Sequence, residues 1–320
     1  MLGRRHFRIK VLQALYAYFQ GGDARLETAE HNLLQSISKI TELFFLQLSF
    51  LLEVMHFYQF RMEESKNKFI PTEEELNPNL KLLDNKLLIL LQENEELASR
   101  IKQYRISWTE EQEMVRKVFL KIKNSKDLAE YLNSGKSLFQ EDQEFLTRLF
   151  RKYIARSGDF QSFCEERNLF WSDDFEVAAI FVLKTLKLVN ESFSQKDELL
   201  SVLNKDQEED DADDRKFILE LFRKTLLHSE EFDGLIQTRT RNWELDRIAL
   251  TDIILIKMAL TEFIYFSEIP VKVTMNEYIE ISKLFSSVKS KMFINGILDK
   301  LVADLTKEQK VKKTGRGLIT

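Results

Sequence analysis

Trp243-Glu244-Leu245-Asp246-Arg247-Ile248 opens a stretch that runs to Leu301 and decides the fold class. It continues into an apolar segment carrying Ile253, Ile254, Ile256, Met258, Ala259, Leu260 and Phe263, interrupted by a narrow polar flank of Asp252, Lys257 and Glu262. A helix that is apolar nearly all round is a central one, and Asp246 is placed to cap it. Ile269-Pro270 then breaks the chain, because proline cannot continue a helix. The spacing predicts further helices over 273–285 and 290–305. Asn295-Gly296 ordinarily marks a turn. Here Phe293, Ile294, Ile297, Leu298 and Leu301 keep helical register across it. A glycine inside a helix costs about 1 kcal/mol against alanine, so a close approach by a neighbouring helix or a ligand is expected at Gly296.

Composition agrees with the stretch. The chain has 320 residues, of which 44% are hydrophobic and 25 are Phe, enough for a sizeable core. With 9 Gly and 3 Pro it is short of turn residues for an antiparallel sheet, so an all-α protein is expected. Its one cysteine, Cys164, excludes an internal disulfide, and a cytoplasmic location fits. The four histidines lack metal spacing. The acidic run Asp206–Asp214 lacks the spaced ligands and turn glycine of a calcium loop, and reads as a solvated loop that also caps a helix beginning near Lys216. No metal or cofactor is expected.

The N-terminus carries Arg4, Arg5, Arg8 and Lys10 and then an amphipathic helix to Gln20, with Phe7, Val11, Ala14, Leu15 and Tyr18 on its core face and Gly21-Gly22-Asp23 as its stop. Arginines in a first turn oppose the helix dipole, which suggests that an anion is expected there. Arg5 and Tyr16 project at nearly the same azimuth three turns apart, a cation for phosphate and a ring for a base. A long helix over 27–66 follows. Its polar stripe of Glu42, Ser49, Glu53, His56 and Glu63 argues for a soluble helix over a membrane span. Beyond a polar linker with Pro71 and Pro78, a helix is expected over 80–104. Thr109 is a candidate N-cap for the next. Ser134-Gly135-Lys136-Ser137 lacks the upstream glycine of a phosphate loop and reads as a turn.

The chain contains an internal repeat. At an offset of 72, residues 142–188 match 214–260 at 13 of 47 positions, including Phe145/Phe217, Leu149/Leu221, Phe150/Phe222, Phe160/Phe232, Trp171/Trp243 and Asp174/Asp246. Chance gives about three or four. The unit is a duplicated scaffold or an added docking surface. Charge is also segregated. Residues 1–20 hold no acid, and 270–320 hold ten Lys/Arg against five Asp/Glu, although the whole chain has a net charge of −5. If the two ends meet, they form one basic patch suited to nucleic acid.

Together the two ends resemble the NusB family of transcription antitermination factors. Arg4-Arg5-His6-Phe7-Arg8-Ile9-Lys10-Val11-Leu12-Gln13-Ala14-Leu15-Tyr16 is similar to the family's arginine-rich opening and Gln-Ala-Leu-Tyr signature. Ile269 to Glu277 is similar to its Val-Pro-Tyr-Lys-Val-Ala-Ile-Asn-Glu segment, and Phe293 to Lys300 to its Phe-Val-Asn-Gly-Val-Leu-Asp-Lys segment. The resemblance implies two small helical subdomains packed on the first helix, a non-enzymatic protein, and binding of boxA-like single-stranded RNA in ribosomal-RNA leaders. It implies NusE, a small-subunit ribosomal protein, as partner, with RNA polymerase and other antitermination components reached indirectly. Arg4, Arg5, Arg8 and Tyr16 fall on the family's RNA-contacting helix, Phe293 on its aromatic RNA contact, and Asp252 on an acid associated with NusE binding. His6 stands where arginine is common. Lys289 falls on an acidic position, which adds positive charge to the expected RNA face. The domains expected are 1–66 and 211–306 for the family-like fold, 67–210 as a helical insertion, and 307–320 as a basic tail. The competing reading is a helical protein–protein adaptor with weak or non-specific RNA binding. An enzyme is disfavoured by the absence of a glycine-rich cofactor loop or a catalytic cysteine motif.

Overall fold

A computed structural model describes residues 2–21, 25–135, 138–202, 211–239 and 248–318. The expected caps at Gly22-Asp23 and Asp246, residues Lys136 and Ser137, the run 206–210, and the Trp243 and Asp246 halves of two repeat pairs lie outside the described residues. Among those described there is no strand, and the chain is all-α. The helices are α1 (Arg4–Gln20), α2 (Leu26–Lys66), α3 (Glu73–Leu76), α4 (Lys86–Gln92), α5 (Glu95–Gln103), α6 (Gln112–Lys123), α7 (Lys126–Asn133), α8 (Phe139–Leu149), α9 (Gly158–Arg167), α10 (Phe175–Leu188), α11 (Asp211–Leu227), α12 (Ser229–Arg239), α13 (Leu250–Tyr265), α14 (Val271–Phe285) and α15 (Val288–Lys307). They sort into two compact units, Ser38–Leu203 and Leu2–Ile37 with Asn204–Thr320. The division falls inside α2, so residues 38–66 belong with the segment that follows them.

In the first unit, α2 supplies a buried face to which later helices are tied by its few polar groups. Ser49 accepts a hydrogen bond from the Trp108 indole at 3.2 Å, and the Gln47 amide donates to the Phe175 carbonyl at 2.9 Å. The Trp171 indole donates to the Lys39 carbonyl at 2.9 Å. By length and composition α2 could cross a membrane, but 67% of its most apolar window is buried inside the protein.

The single helix expected over 80–104 is two. Asn85 and Asn94 each turn a side-chain oxygen onto a backbone N–H three residues on, both at 2.9 Å, and so start new helices at Lys86 and Glu95. Asparagine competes with the backbone for its own helix and wins where a cap is available. Thr109 is not a cap. It opens a short 3-10 turn, Thr109–Glu111, and α6 starts after it with no side-chain cap.

The repeat is carried by the backbone. The helical run 139–154, α9 and α10 recur as α11, α12 and α13, each starting within three residues of the offset of 72. Phe145, Leu149, Phe150 and Phe160 are buried, as are Phe217, Leu221, Phe222 and Phe232. Among the described residues the copies differ in the first helix. Residues 150–154 widen into a π-turn, with Ala155 N–H donating to the Phe150 carbonyl at 2.9 Å, where α11 runs on as regular α-helix.

In the second unit α13 is the centre, with α1, α11, α12, α14 and α15 around it. Its polar flank faces inward. Asp252, Lys257 and Glu262 are all buried, and each ties α13 to a different neighbour. Asp252 accepts from the Ser286 hydroxyl in the α14–α15 connection. Lys257 donates to Asp233 and Ser229 of α12, both at 2.7 Å. Glu262 receives Arg8 of α1 and two hydroxyls of α14. Gly296 departs from expectation: a Cβ there would meet nothing within 4 Å, so no neighbouring helix demands the glycine.

Candidate nucleic-acid interface

Helix α1 begins after an extended Gly3 with no side-chain cap, and α14 begins after Pro270 in the same way. Neither has an acidic residue in its first turn, nor does α15. The N-termini of α1 and α14 meet at an open cleft of about 540 Å³ whose walls include Arg4 and Arg5 on one side and Pro270, Val273 and Glu277 on the other. Two helix starts carry partial positive charge and unpaired N–H groups. Arg4, Arg5 and Arg8 line the cleft with Glu268 and Glu277, so charges of both signs stand around the two helix starts.

Each candidate residue takes a definite place. Arg5 is exposed, and its guanidinium is held flat by two hydrogen bonds of 2.8 Å to the Glu277 carboxylate. Such a bidentate pair fixes the plane of the group and leaves its outer edge toward solvent. Arg4 is exposed, with its guanidinium 5.2 Å from the Phe217 ring centre. Tyr16, three turns along α1, is 42% exposed. Lys289 is exposed in the first turn of α15, and Phe293 is half-buried one turn further on.

Arg8 borders the same cleft but is buried, and Asp252 lies elsewhere. Arg8, expected as an RNA contact, is only 2% exposed. It donates to both oxygens of Glu262 at 2.6 and 2.8 Å and lies near the rings of Phe217 and Tyr278. Burial works against its charge, but the Glu262 carboxylate outweighs burial and the guanidinium is held above its ordinary value. Tyr278 is pushed well up by burial and by the same carboxylate. The physical reason for Arg8's placement is helical phase: it shares the inward side of α1 with Phe7, Val11, Leu12 and Leu15. Asp252, expected at a partner surface, is 4% exposed and engaged by Ser286. Ser286 lies in the α14–α15 connection, which leads into the start of α15 that carries Lys289 and Phe293.

The two basic ends do come together. The Glu280 carboxyl on α14 is held below its ordinary value by Lys283 beside it, and by Arg5 of α1 and Lys291 of α15. Glu280 therefore sits within electrostatic reach of both. Sequence reading missed Lys291 and the acids Glu277 and Glu280 that interleave the arginines. The excess of ten cations over five acids after residue 270 was the available signal for Lys291. Nothing signalled Glu277, whose partner Arg5 is 272 positions away.

The sequence model described as the NusB family matches residues 177–303. The transcription antitermination protein NusB of Salinibacter ruber is 40% identical over 138 residues, 43% of this chain and 86% of that protein. The chain belongs to the NusB family. The protein of the same name from Geobacter sulfurreducens is 38% identical over 107 residues, 33% of this chain and 78% of the relative. That from Chloroherpeton thalassium is 36% identical over 105 residues, 33% of this chain and 50% of the relative. No solved structure matches the chain. The NusB span of 177–303 begins inside α10 and runs into α15, leaving α1 with its arginines outside it.

Proposed function

We propose that this protein is a cytoplasmic, non-enzymatic transcription antitermination factor that binds boxA-like single-stranded RNA of ribosomal-RNA leaders together with NusE. Through that complex it reaches RNA polymerase and the other antitermination components. Membership of the NusB family supports the reading. The observation that carries it is the surface on which exposed Arg4 and Arg5 meet the α14 start, with Lys291 of α15 within reach. Phosphates would engage Arg4, Arg5, Lys289 and Lys291, and bases would stack on Tyr16 and Phe293. Arg8 acts inside, as the group that holds α1 in place. The unit Leu2–Ile37 with Asn204–Thr320 carries the RNA work, and the basic tail belongs to it.

The test is a titration of labelled boxA-like RNA and a scrambled RNA, with and without NusE, over a range of salt. Affinity falls steeply with salt, NusE raises it, and the boxA-like RNA is preferred. Arg5→Ala weakens every RNA and lowers the salt slope by about one. No preference for the boxA-like sequence at moderate salt removes the support for antitermination. One observation favours an adaptor role for the Ser38–Leu203 unit: Phe69 is 100% and Ile70 80% exposed, and Phe60 is exposed too.

A further inference from the structure

A second cleft lies on the other side of Arg4, between the start of α11 and the α13–α14 turn. Its size, about 450 Å³, falls in the range of small-molecule sites. Phe217 and Phe266 form aromatic walls, edge to face with ring centres 5.4 Å apart, and Tyr265 adds a third ring. Arg4 and Lys216 stand as the cations of its lining, and Glu220 and Glu268 as its carboxylates.

The C-terminal segment packs behind Ser267 and Glu268, which line this cleft. After α15 the chain turns back across the end of α13. Lys313 donates to the Glu262 and Phe266 carbonyls at 3.0 and 2.8 Å. Thr314 N–H donates to the Ser267 carbonyl at 3.1 Å and its hydroxyl to Glu268 at 3.0 Å. Gly317 lies so close that a Cβ there would fall 1.9 Å from the Ser267 carbonyl oxygen. Ser267 and Glu268 are thus fixed from behind by a strap that only glycine allows.

We infer that this cleft is a nucleotide subsite: it takes one base of the single-stranded RNA that crosses the arginine surface, with the adjoining phosphate on Arg4 and Lys216. The inference rests on the RNA-binding reading above. The first cleft and this one share Arg4, Glu268 and Ile269, so a strand passing Arg5 reaches it without leaving the protein. The mix of charges selects the ligand. Cations with carboxylates and rings suit a nucleotide, whose phosphate is anionic and whose base offers N–H donors and a stacking face. An acidic peptide would meet two carboxylates of its own sign.

The experiment compares a minimal boxA-like RNA with the same RNA extended by three nucleotides at either end, using full-length protein with NusE. For wild type, extension at one end tightens binding about tenfold. Lys216→Glu, an exposed change, removes that gain and leaves the minimal RNA bound within about twofold. With 4-thiouridine in the extension, crosslinks map to the peptides holding Phe217 and Tyr265–Ile269. An equal gain in Lys216→Glu, or crosslinks elsewhere, overturns the subsite while leaving RNA binding intact. Failure of wild type to bind either RNA overturns the RNA reading and the subsite with it. A polyglutamate peptide that binds wild type, is lost in Lys216→Glu, and displaces no RNA assigns the cleft to a protein partner instead.

Discussion

The two units hold the same three-helix repeat but solve the problem of a buried carboxylate differently. In the Ser38–Leu203 unit, Asp142 of α8 is held by neutral donors. The Tyr131 hydroxyl donates at 2.6 Å and the Lys86 backbone N–H at 2.8 Å, with Asn85 donating to the Tyr131 oxygen at 3.1 Å. These partners lie within 57 residues of one another in the chain. In the other unit, Glu262 of α13 faces a full positive charge, Arg8, brought from 254 residues away, with Tyr278 at 2.7 Å and Thr274 at 3.1 Å completing it. A neutral cluster organises a local turn. A buried ion pair ties a distant N-terminal helix to the centre, and its cost when broken is higher because a lone charge is left in the core. The unit with the ion pair is also the one that carries the arginine surface, so its electrostatics set where Arg4 and Arg5 stand.

The comparison can be broken most forcefully at Glu262. Glu262→Gln removes the bidentate partner of Arg8, leaves it only the longer 3.8 Å contact with Glu277, and should cost about 3–5 kcal/mol. Denaturation followed by hydrogen exchange should show the loss in α1, α13 and α14 and spare α8. The double change Arg8→Met with Glu262→Leu should recover most of that stability and keep RNA binding. Loss of RNA binding in a stable double variant would return Arg8 to the interface. Tyr131→Phe sharpens the contrast from the other side. It removes one hydroxyl from the neutral cluster, costs about 1–2 kcal/mol, and leaves RNA affinity unchanged; equal losses from Tyr131→Phe and Glu262→Gln would erase the distinction.

Smaller effects test the ends of the RNA-side unit. Gly296→Ala should stabilise by about 0.5–1 kcal/mol in thermal melts, since the added methyl meets nothing. If NusE or RNA affinity falls at the same time, a partner uses the open backbone there. Burial pulls the Lys313 ammonium down to about 8, with Glu262 pulling the other way. Its folded value lies below its unfolded one, so the unfolded chain binds more protons between them. Wild type should therefore gain stability relative to Lys313→Met as pH rises from about 8 to 10.5, and a flat difference across that window would show that the strap lysine is not desolvated.

What the sequence shows directly is what depends on neighbours along the chain. Helical periodicity marked α1, α2, α13, α14 and α15, because a 3.6-residue repeat of apolar side chains is a local property. It also revealed the offset of 72, which the helices keep. The family resemblance followed from short contiguous motifs at the two ends. The split at Asn85 and Asn94 was open to reading, since asparagine at a helix start is a local signal, but a long apolar run masked it.

The tertiary structure decided which polar groups face inward. Asp252, Lys257 and Glu262 form one flank on a helical wheel whether solvent or protein lies beyond it. They are buried because α12, α14 and the α14–α15 connection close over them, bringing Asp233, Tyr278 and Ser286 as partners. Arg8 and Arg5 are three residues apart in one basic run, yet one is the core of an ion pair and the other stands at the surface. Burial depends on contacts between residues hundreds of positions apart, and no local pattern encodes those.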